Sequence, residues 1–180
     1  MNLQKLDLEG AWKATLKTYA DDRGNFREWF KQSEFLKATG RSFVLSQANF
    51  SVSKKNVLRG IHFSVAEVGQ AKWVTCINGS VWDVLVDLRP SSPTFKQWVS
   101  INMASDEAIC VFIPEGFGHG FLSLEENSTV VYFLTSEYLS EKEFEINPFD
   151  PDLNISWPTS NVILSEKDRL APNLTDSNLF

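Results

Sequence analysis

The sequence is poor in the residues that metal centres and disulfide frameworks require. Its 180 residues include only two histidines, His62 and His119, and two cysteines, Cys76 and Cys110. The cysteines lie far apart in apolar surroundings and show no zinc-binding spacing. We interpret them as buried free thiols in a reducing compartment, with a disulfide as the alternative.

The sequence also lacks an excess of basic residues and any long apolar segment. Acidic residues outnumber basic ones by 23 to 17, and the net charge of −6 makes a nucleic-acid duplex a poor partner. The longest apolar run, AICVFI, is too short to span a bilayer, and MNLQKLDLEGAW has no signal-peptide pattern. The glycine-rich phosphate loops GxGxxG and GxxxxGK[ST] are missing too. We therefore expect a cytoplasmic protein without a membrane partner.

The chain is rich in aromatic residues and in short patterns typical of β-strands. It contains 14 phenylalanines and 6 tryptophans, which favour strands and line small-molecule pockets. Alternating runs separated by turn residues extend from GAWKATLKTYADDRGNFREWF to STVVYFLTSEYL. This pattern predicts an all-β fold, best matched by a cupin-type jelly-roll barrel with a few short helices, as a single domain over residues 1–180.

One turn and one strand are specific enough to test this fold. Asn78-Gly79 lies between two alternating runs and predicts a β-hairpin. In the second run, the alternate residues from Trp82 to Leu88 share an apolar face, which we assign to the core.

Two short helices are also predicted. SEFLKATG begins with Ser33 as the candidate cap, ends at a glycine and places Phe35 and Leu36 inward. SEKDRLAPNL begins with Ser165, and Asp168 three residues later completes a pattern similar to a capping box.

The stretch VLRGIHFS raises a chemical question, because it places Arg59 and His62 inside an apolar strand. Strict alternation predicts Arg59 on one face and both Gly60 and His62 on the other. Gly60 allows another group to approach the strand closely. A single histidine in a strand is most simply a hydrogen-bonded core residue, so His62 gains a chemical interpretation only from its neighbours.

Four further residues are candidates to act together with His62. Lys72 opens the strand QAKWV, His119 lies in PEGFGHGF, Tyr132 in VVYFL and Tyr138 in SEYL. Each has a structural interpretation by itself: a solvated lysine, a hydrogen-bonded histidine and two core aromatics. Together they offer a base, a cation for an oxyanion and a phenol acid in one barrel.

A metal-dependent cupin is the alternative. PEGFGHGF supplies the Pro-x-Gly-x-x-His part of such a site, but GIHFSV has one histidine where two are needed. No carboxylate has the spacing of a site with two histidines and one carboxylate. We therefore favour a site without metal.

The chain resembles the dTDP-4-dehydrorhamnose 3,5-epimerase family over nearly its whole length, to about Leu174. The matching stretches occur in the family's order, and DLRxxSPTFxxW with PEGFxHGF is a specific combination. They are DDRGNFREWF, VLRGIHF, QAKWVTCINGSVWDVLVDLRPSSPTFKQW, IPEGFGHGFLSL, TVVYFLTSEY, DPDLNISWP and LSEKDRLAP. The resemblance implies a cupin jelly roll, a homodimer, no cofactor and a dTDP-linked 4-keto-6-deoxyhexose substrate. It implies epimerisation at C3 and C5 to dTDP-4-keto-L-rhamnose, in dTDP-L-rhamnose biosynthesis.

The resemblance also implies roles for individual residues. His62 resembles the catalytic base, Asp168 the carboxylate that orients it, Lys72 the residue beside the keto oxygen and Tyr132 the opposing acid. Arg23 and Arg59 resemble the diphosphate contacts, Phe26 and Tyr138 the walls around the thymine, and the other residues of the family pocket match Glu28, Gln47, Asn49 and His119.

Some alternatives stay open at this level. Arg23 could pair with its acidic neighbours, Phe26 could be a core residue, and His119 could be structural. Phe133 and Ser64 stand where many rhamnose enzymes carry lysine and glutamine, so a 3- or 5-mono-epimerase of another dTDP-4-keto-deoxysugar is an alternative function. A sugar-nucleotide binding module without activity is a third.

Overall fold

The computed structural model describes residues 1–65, 67 and 69–177, and its regular structure is mostly β. In those residues the strands are β1 (Asn2–Lys5), β2 (Trp12–Thr15), β3 (Thr18–Asp21), β4 (Gly24–Arg27), β5 (Gln47–Ser53), β6 (Leu58–Ser64), β7 (Lys72–Asn78), β8 (Ser80–Asp87), β9 (Trp98–Ala104), β10 (Ile109–Ile113), β11 (Phe117–Ser123), β12 (Ser128–Leu134) and β13 (Glu143–Glu145). The helices are α1 (Gln32–Thr39) and α2 (Glu166–Arg169). The predicted all-β class is confirmed, whereas the predicted domain also includes residues 66, 68 and 178–180, outside the described part.

The strands form two antiparallel sheets that face each other. The six-stranded sheet has the order β1-β2-β10-β7-β12-β5, and the five-stranded sheet has the order β13-β6-β11-β8-β9. Strands β3 and β4 form a separate hairpin, with Asp22 and Arg23 at its turn. The two-sheet barrel expected from the sequence is therefore confirmed. In the described part of the chain, no helix is long and apolar enough to cross a membrane.

Apolar residues are buried in three layers. The first layer lies between the sheets and draws residues such as Val74, Leu85 and Phe121 from both of them. The second covers the outside of the six-stranded sheet beneath α1, and the third lies between the five-stranded sheet and the segment 144–174. Both predicted free thiols, Cys76 and Cys110, are buried and unpaired. Each sheet is therefore covered on both faces over most of its area.

The Asn78-Gly79 turn does not close a hairpin, so that prediction was wrong. Strand β7 pairs with β10 and β12, whereas β8 pairs with β9 and β11. The turn instead passes the chain from one sheet to the other. Both strands are apolar on two faces, and distant partners in separate sheets bury those faces more completely than a local hairpin would.

Strand β8 is buried on both faces, which refines the assignment made from its alternation. The predicted face, which includes Val84 and Val86, packs outward against the 144–174 segment. The opposite face points between the sheets with Val81 and Leu85. That inner face also carries Asp83 and Asp87, both fully buried, so two carboxylates enter the barrel interior.

The two helices test the predicted caps with different results. Helix α1 begins one residue before Ser33, which therefore is not its cap, and Phe35 is buried while Leu36 is 46% exposed. The inward prediction for Leu36 was wrong because a helix of eight residues that packs on one side can bury only a narrow stripe. Helix α2 confirms the second prediction, since Ser165 Oγ accepts from the backbone N–H of Asp168 at 3.0 Å.

Substitution of Phe35 tests how α1 is held on the sheet. Its ring contacts Phe30, Phe43, Trp73 and Phe112 at centroid distances of 4.9–6.0 Å. We expect Phe35→Ala to lower the free energy of unfolding by about 3–5 kcal/mol. Leu36→Ala is the matched control and should change it by less than about 0.5 kcal/mol. Chemical denaturation measures both, and equal losses would contradict this account of the helix.

Candidate active site

The two histidines lie opposite each other on neighbouring strands. His62 of β6 pairs with His119 of β11, and two positions away Arg59 pairs with Phe121 after a shift in register. Gly60 and Ile61 therefore oppose the single residue between His119 and Phe121, which is a β-bulge. Because the bulge adds one residue to β6, Arg59 and His62 both line the same cavity. The prediction of opposite faces was wrong for this reason.

Close approach of two glycines makes this bulge possible. A Cβ atom on Gly60 would lie 2.5 Å from the Cα of Gly120 and 2.7 Å from the carbonyl oxygen of His119. Gly60 also has φ of +117°, a conformation that residues with side chains rarely adopt. The close approach expected at Gly60 is confirmed, and the approaching group is the backbone of β11.

Two adjoining cavities open between the sheets at this point. Their volumes are about 290 Å³ and 160 Å³, and four residues line both: Arg59, His62, Lys72 and Tyr132. The larger cavity is also lined by predicted residues Asn49, Tyr138 and Asp168, and the smaller one by His119. The fold thus brings eight of the twelve predicted site residues to one connected space that suits a small molecule.

His62 and Asp168 form a hydrogen-bonded pair at the wall of the larger cavity. Nε2 of His62 lies 2.5 Å from Oδ1 of Asp168, and Ser165 donates to Oδ2 of the same carboxylate at 2.8 Å. Asp168 is buried, whereas 41% of the His62 side chain is exposed. The cap at the start of α2 therefore also holds the carboxylate that orients the histidine ring.

The surroundings of Asp168 keep it ionised. Burial raises its pKa, but hydrogen bonds from His62, Ser165 and the Gly60 backbone, together with the charge of His62, lower the pKa below its ordinary value. An ionised Asp168 accepts the Nε2 proton, which leaves Nδ1 of His62 as the nitrogen that can take up another proton. The pair has the arrangement of an oriented general base.

Lys72 and Tyr132 lie on neighbouring strands of the opposite sheet, β7 and β12. Lys72 is only 8% exposed, and burial lowers its pKa, while the negative charges of Glu143 and Asp83 act in the other direction. Within residues 1–65, 67 and 69–177, no protein group forms a hydrogen bond or ion pair with its ammonium. A lysine amine and a phenol therefore face the His62 pair across the cavity.

Several predicted binding residues meet at the rim of this cavity. Gln47 donates to Asn49 Oδ1 at 2.9 Å and accepts from the backbone N–H of Tyr138 at 2.8 Å. Arg59 donates through Nε to Ser53 at 3.1 Å, and the ring of Tyr138 is more than half exposed. These contacts hold an amide pair, a guanidinium and an open aromatic ring at the mouth of the site.

Three predicted residues lie outside this cavity in a single chain. Arg23 is on the β3–β4 turn, where its guanidinium pairs with Asp21 at 2.6 Å and its side chain is 90% exposed. Phe26 is 64% exposed, so the alternative that made it a core residue is wrong. Glu28 lies 3.8 Å from Lys31 near the start of α1. Among the described residues that line either cavity, these three are not included.

Sequence reasoning missed several residues of the site. Gln70, Glu143 and Lys167 line the larger cavity, and Asp83 contacts His119 at 2.7 Å behind the smaller one. Asp83 had a detectable signal, because it is an acidic residue inside the apolar run VWDVLV. Glu143 had none, since it lies in a charged segment whose strand pairing depends on β6.

A metal would need ligands from the same region. In the portion of the chain that the structure covers, no group of three or more His, Cys, Asp and Glu side chains is placed to hold a metal ion. The acidic partner of each histidine is a different aspartate, so the two rings do not share a carboxylate.

Comparison with known proteins agrees with this geometry. The family described as dTDP-4-dehydrorhamnose 3,5-epimerase matches residues 5–176. A dTDP-4-dehydrorhamnose 3,5-epimerase of Mycolicibacterium smegmatis is 41% identical over 178 residues, which cover 98% of this chain and 88% of the relative.

Solved structures show the same similarity in three dimensions. The rmlC epimerase of Mycobacterium tuberculosis has a TM-score of 0.94 at 41% identity, covering 98% of this chain and 90% of that one. NovW, a 4-keto-6-deoxy sugar epimerase from the novobiocin gene cluster of Streptomyces spheroides, has a TM-score of 0.94 at 42% identity, covering 97% and 88%. From its sequence match, its fold and the residues around its cavity, this chain belongs to the dTDP-4-dehydrorhamnose 3,5-epimerase family.

Proposed function

We propose that this protein is a cofactor-free isomerase that inverts C3 and C5 of dTDP-4-keto-6-deoxy-D-glucose. The product is dTDP-4-keto-L-rhamnose, and the place of action is dTDP-L-rhamnose biosynthesis in the cytoplasm, with residues 1–180 as one domain. The observation that carries the proposal is the His62–Asp168 pair facing Lys72 and Tyr132 across one cavity. A relative from Legionella pneumophila, 37% identical, has been solved in complex with dTDP-4-keto-L-rhamnose, which supports the substrate class.

The first step is removal of a proton next to the C4 ketone. Such a proton is weakly acidic, so the base needs a pKa near neutrality and the enolate oxygen needs a nearby positive charge. In our proposal Nδ1 of His62 takes the proton, and ionised Asp168 stabilises the imidazolium that forms. Lys72, whose ammonium has no protein hydrogen bond among the described residues, meets the enolate oxygen.

The second step returns a proton to the opposite face of the same carbon. A phenol has an ordinary pKa near 10 and can donate to a strongly basic enolate carbon. Tyr132 is on the opposite sheet from His62 and lines both cavities, so it suits the role of acid. Because C3 and C5 both flank the ketone, one set of residues can serve each carbon in turn.

Inversion of one carbon only is the alternative, and a relative supports it. A dTDP-4-dehydrorhamnose 3-epimerase of Streptomyces niveus is also 41% identical to this chain. Phe133, however, packs on the outer side of the six-stranded sheet, 4.3 Å from Trp29 between ring centroids. Its side chain lies away from Tyr132 and the cavity, so this departure from the rhamnose enzymes does not touch the reacting carbons. We therefore favour double inversion.

We also propose that the protein works as a homodimer that completes its site. An apolar groove of about 580 Å³ runs along the outer face of β5 and beside the β3–β4 hairpin, with Phe50 and Ile77 exposed along it. Strand β5 is an edge strand, and its inner face carries Asn49 into the cavity. A second copy docked here would cover the groove and bring its own Arg23 and Phe26 towards that cavity.

Solvent exchange tests the reaction directly. We expect the protein, given dTDP-4-keto-6-deoxyglucose in D₂O without a reductase, to place deuterium at both C3 and C5 by proton NMR. His62→Ala should abolish exchange at both carbons because the base is lost, while its thermal unfolding stays close to that of the wild type.

The pattern of exchange separates the candidate functions. Deuterium at one carbon would identify a mono-epimerase. Absence of exchange in the wild type, with ligand still bound, would favour the binding module. Exchange that persists in His62→Ala would contradict the assignment of the base.

Mixed dimers test whether the site is shared. We expect His62→Ala and Arg23→Ala to be strongly impaired alone, because each lacks one part of every site. After the two are unfolded and refolded together, half of the dimers carry one intact site, so activity should return to about a quarter of the wild type.

A matched mixture provides the control. His62 and Lys72 line the same cavity of one chain, so His62→Ala mixed with Lys72→Ala restores no site and should stay inactive. If the Arg23 mixture also stays inactive while sedimentation shows mixed dimers, the shared site is wrong.

A further inference from the structure

Asp83 is a carboxylate that the proposed reaction does not use. It is fully buried on the inner face of β8, between the apolar residues Val81 and Leu85. Its Oδ2 lies 2.7 Å from Nε2 of His119, and its Oδ1 is buried without a hydrogen-bond partner in the described structure. A buried carboxylate with one bare oxygen costs stability, so its presence calls for a reason other than packing.

A second buried aspartate on the same strand shows what a structural carboxylate looks like here. Asp87 is four residues away on the same face, and its two oxygens accept from Arg89, Ser92 and Thr94 at 2.5–2.9 Å. Burial raises its pKa, but these hydrogen bonds outweigh burial and bring the pKa down to about 2. Asp83 has no such set of donors, and its negative charge stays available to other groups in the barrel.

Lys72 is the cation that this charge reaches. Its ammonium is buried at the junction of the two cavities, and of the groups in the barrel Glu143 and Asp83 favour the charged form. The other titratable groups that line the same space are Arg59, His62, His119, Tyr132, Tyr138, Lys167 and Asp168. Two of these, Arg59 and Lys167, are basic side chains like Lys72.

We propose that Asp83 is a positioning residue of this site: it holds Nε2 of His119 and supplies the negative charge that keeps Lys72 an ammonium. The inference rests on the proposed function, because it explains how a buried lysine stays charged to meet an enolate oxygen. His119 and Lys72 line the smaller cavity from different sheets, and Asp83 lies behind His119. One carboxylate thus prepares two groups that face the sugar.

Titration of Lys72 in the resting protein tests the proposal without substrate. The ¹³Cε and ¹⁵Nζ signals of isotope-labelled lysine can be followed against pH, with Lys72 assigned by the signal lost in Lys72→Met. Asp83→Asn keeps the shape but removes the charge, so the Lys72 midpoint should fall by about 1 pH unit. Asp87→Asn removes the same charge from the same strand face and should leave that midpoint unchanged.

Activity then follows the same direction. A lower Lys72 pKa means that the ammonium loses its proton at a lower pH. In Asp83→Asn, the alkaline limb of the pH profile of D₂O exchange should therefore shift to lower pH together with the titration midpoint of Lys72. The alkaline limb should stay in place in Asp87→Asn, which should instead lower the thermal stability of the protein.

The outcomes separate this inference from the proposed function. If the wild type exchanges both protons but Asp83→Asn leaves the Lys72 midpoint and the alkaline limb in place, the role of Asp83 is overturned and the epimerase stands. If the wild type exchanges neither proton, the proposed function is wrong. The titration then still shows whether Asp83 sets the charge of Lys72.

A measurement on the wild type covers the case of a variant that does not fold. The ring ¹⁵N shifts of neutral His119 should show a proton on Nε2, because Asp83 accepts it. A proton on Nδ1 instead would overturn the proposal.

Discussion

The contact between Gly60 and Gly120 is the constraint on which the site depends. Two strands can approach this closely only where neither residue carries a Cβ atom, and the approach leaves one extra residue in β6. That extra residue turns Arg59 to the same side as His62. The backbone N–H of Gly60 also donates to Asp168, so the bulge positions the histidine and helps to hold its carboxylate. One local irregularity thus brings a guanidinium and an imidazole to the same cavity.

Buried carboxylates in this barrel divide into those that hold the backbone in place and those that contact a histidine. Asp150 is of the first kind, since its oxygens accept from the backbone N–H groups of Asp152, Leu153 and Leu174 and fold the C-terminal segment onto the sheet. Asp168 and Asp83 each contact a histidine instead. The difference lies in the kind of donor, because the oxygens of Asp150 accept from backbone N–H groups, whereas Asp168 and Asp83 each contact an imidazole ring.

The layered core explains why the cavity can be polar at all. Apolar layers outside both sheets, beneath α1 and beneath the 144–174 segment, carry much of the hydrophobic burial. The space between the sheets is therefore free to hold charged side chains at one end and an apolar cluster at the other. Edge strand β5 lies between this cavity and the exposed apolar groove, so one of its faces lines the cavity and the other lines the groove.

The sequence by itself determined the β class, the cap of α2 by Ser165 and, through the family motifs, most of the residues that meet at the cavity. These features depend on neighbouring residues or on motifs in a fixed order along the chain, so the sequence alone is enough to predict them. Only the tertiary structure decided which sheet receives the strand after Asn78-Gly79, which face Arg59 occupies and where Arg23 lies. Strand alternation has a period of two and assumes no insertion, whereas partner choice and bulges depend on residues far along the chain. A single extra residue, admitted by two glycines 60 positions apart in the sequence, was enough to reverse the local prediction.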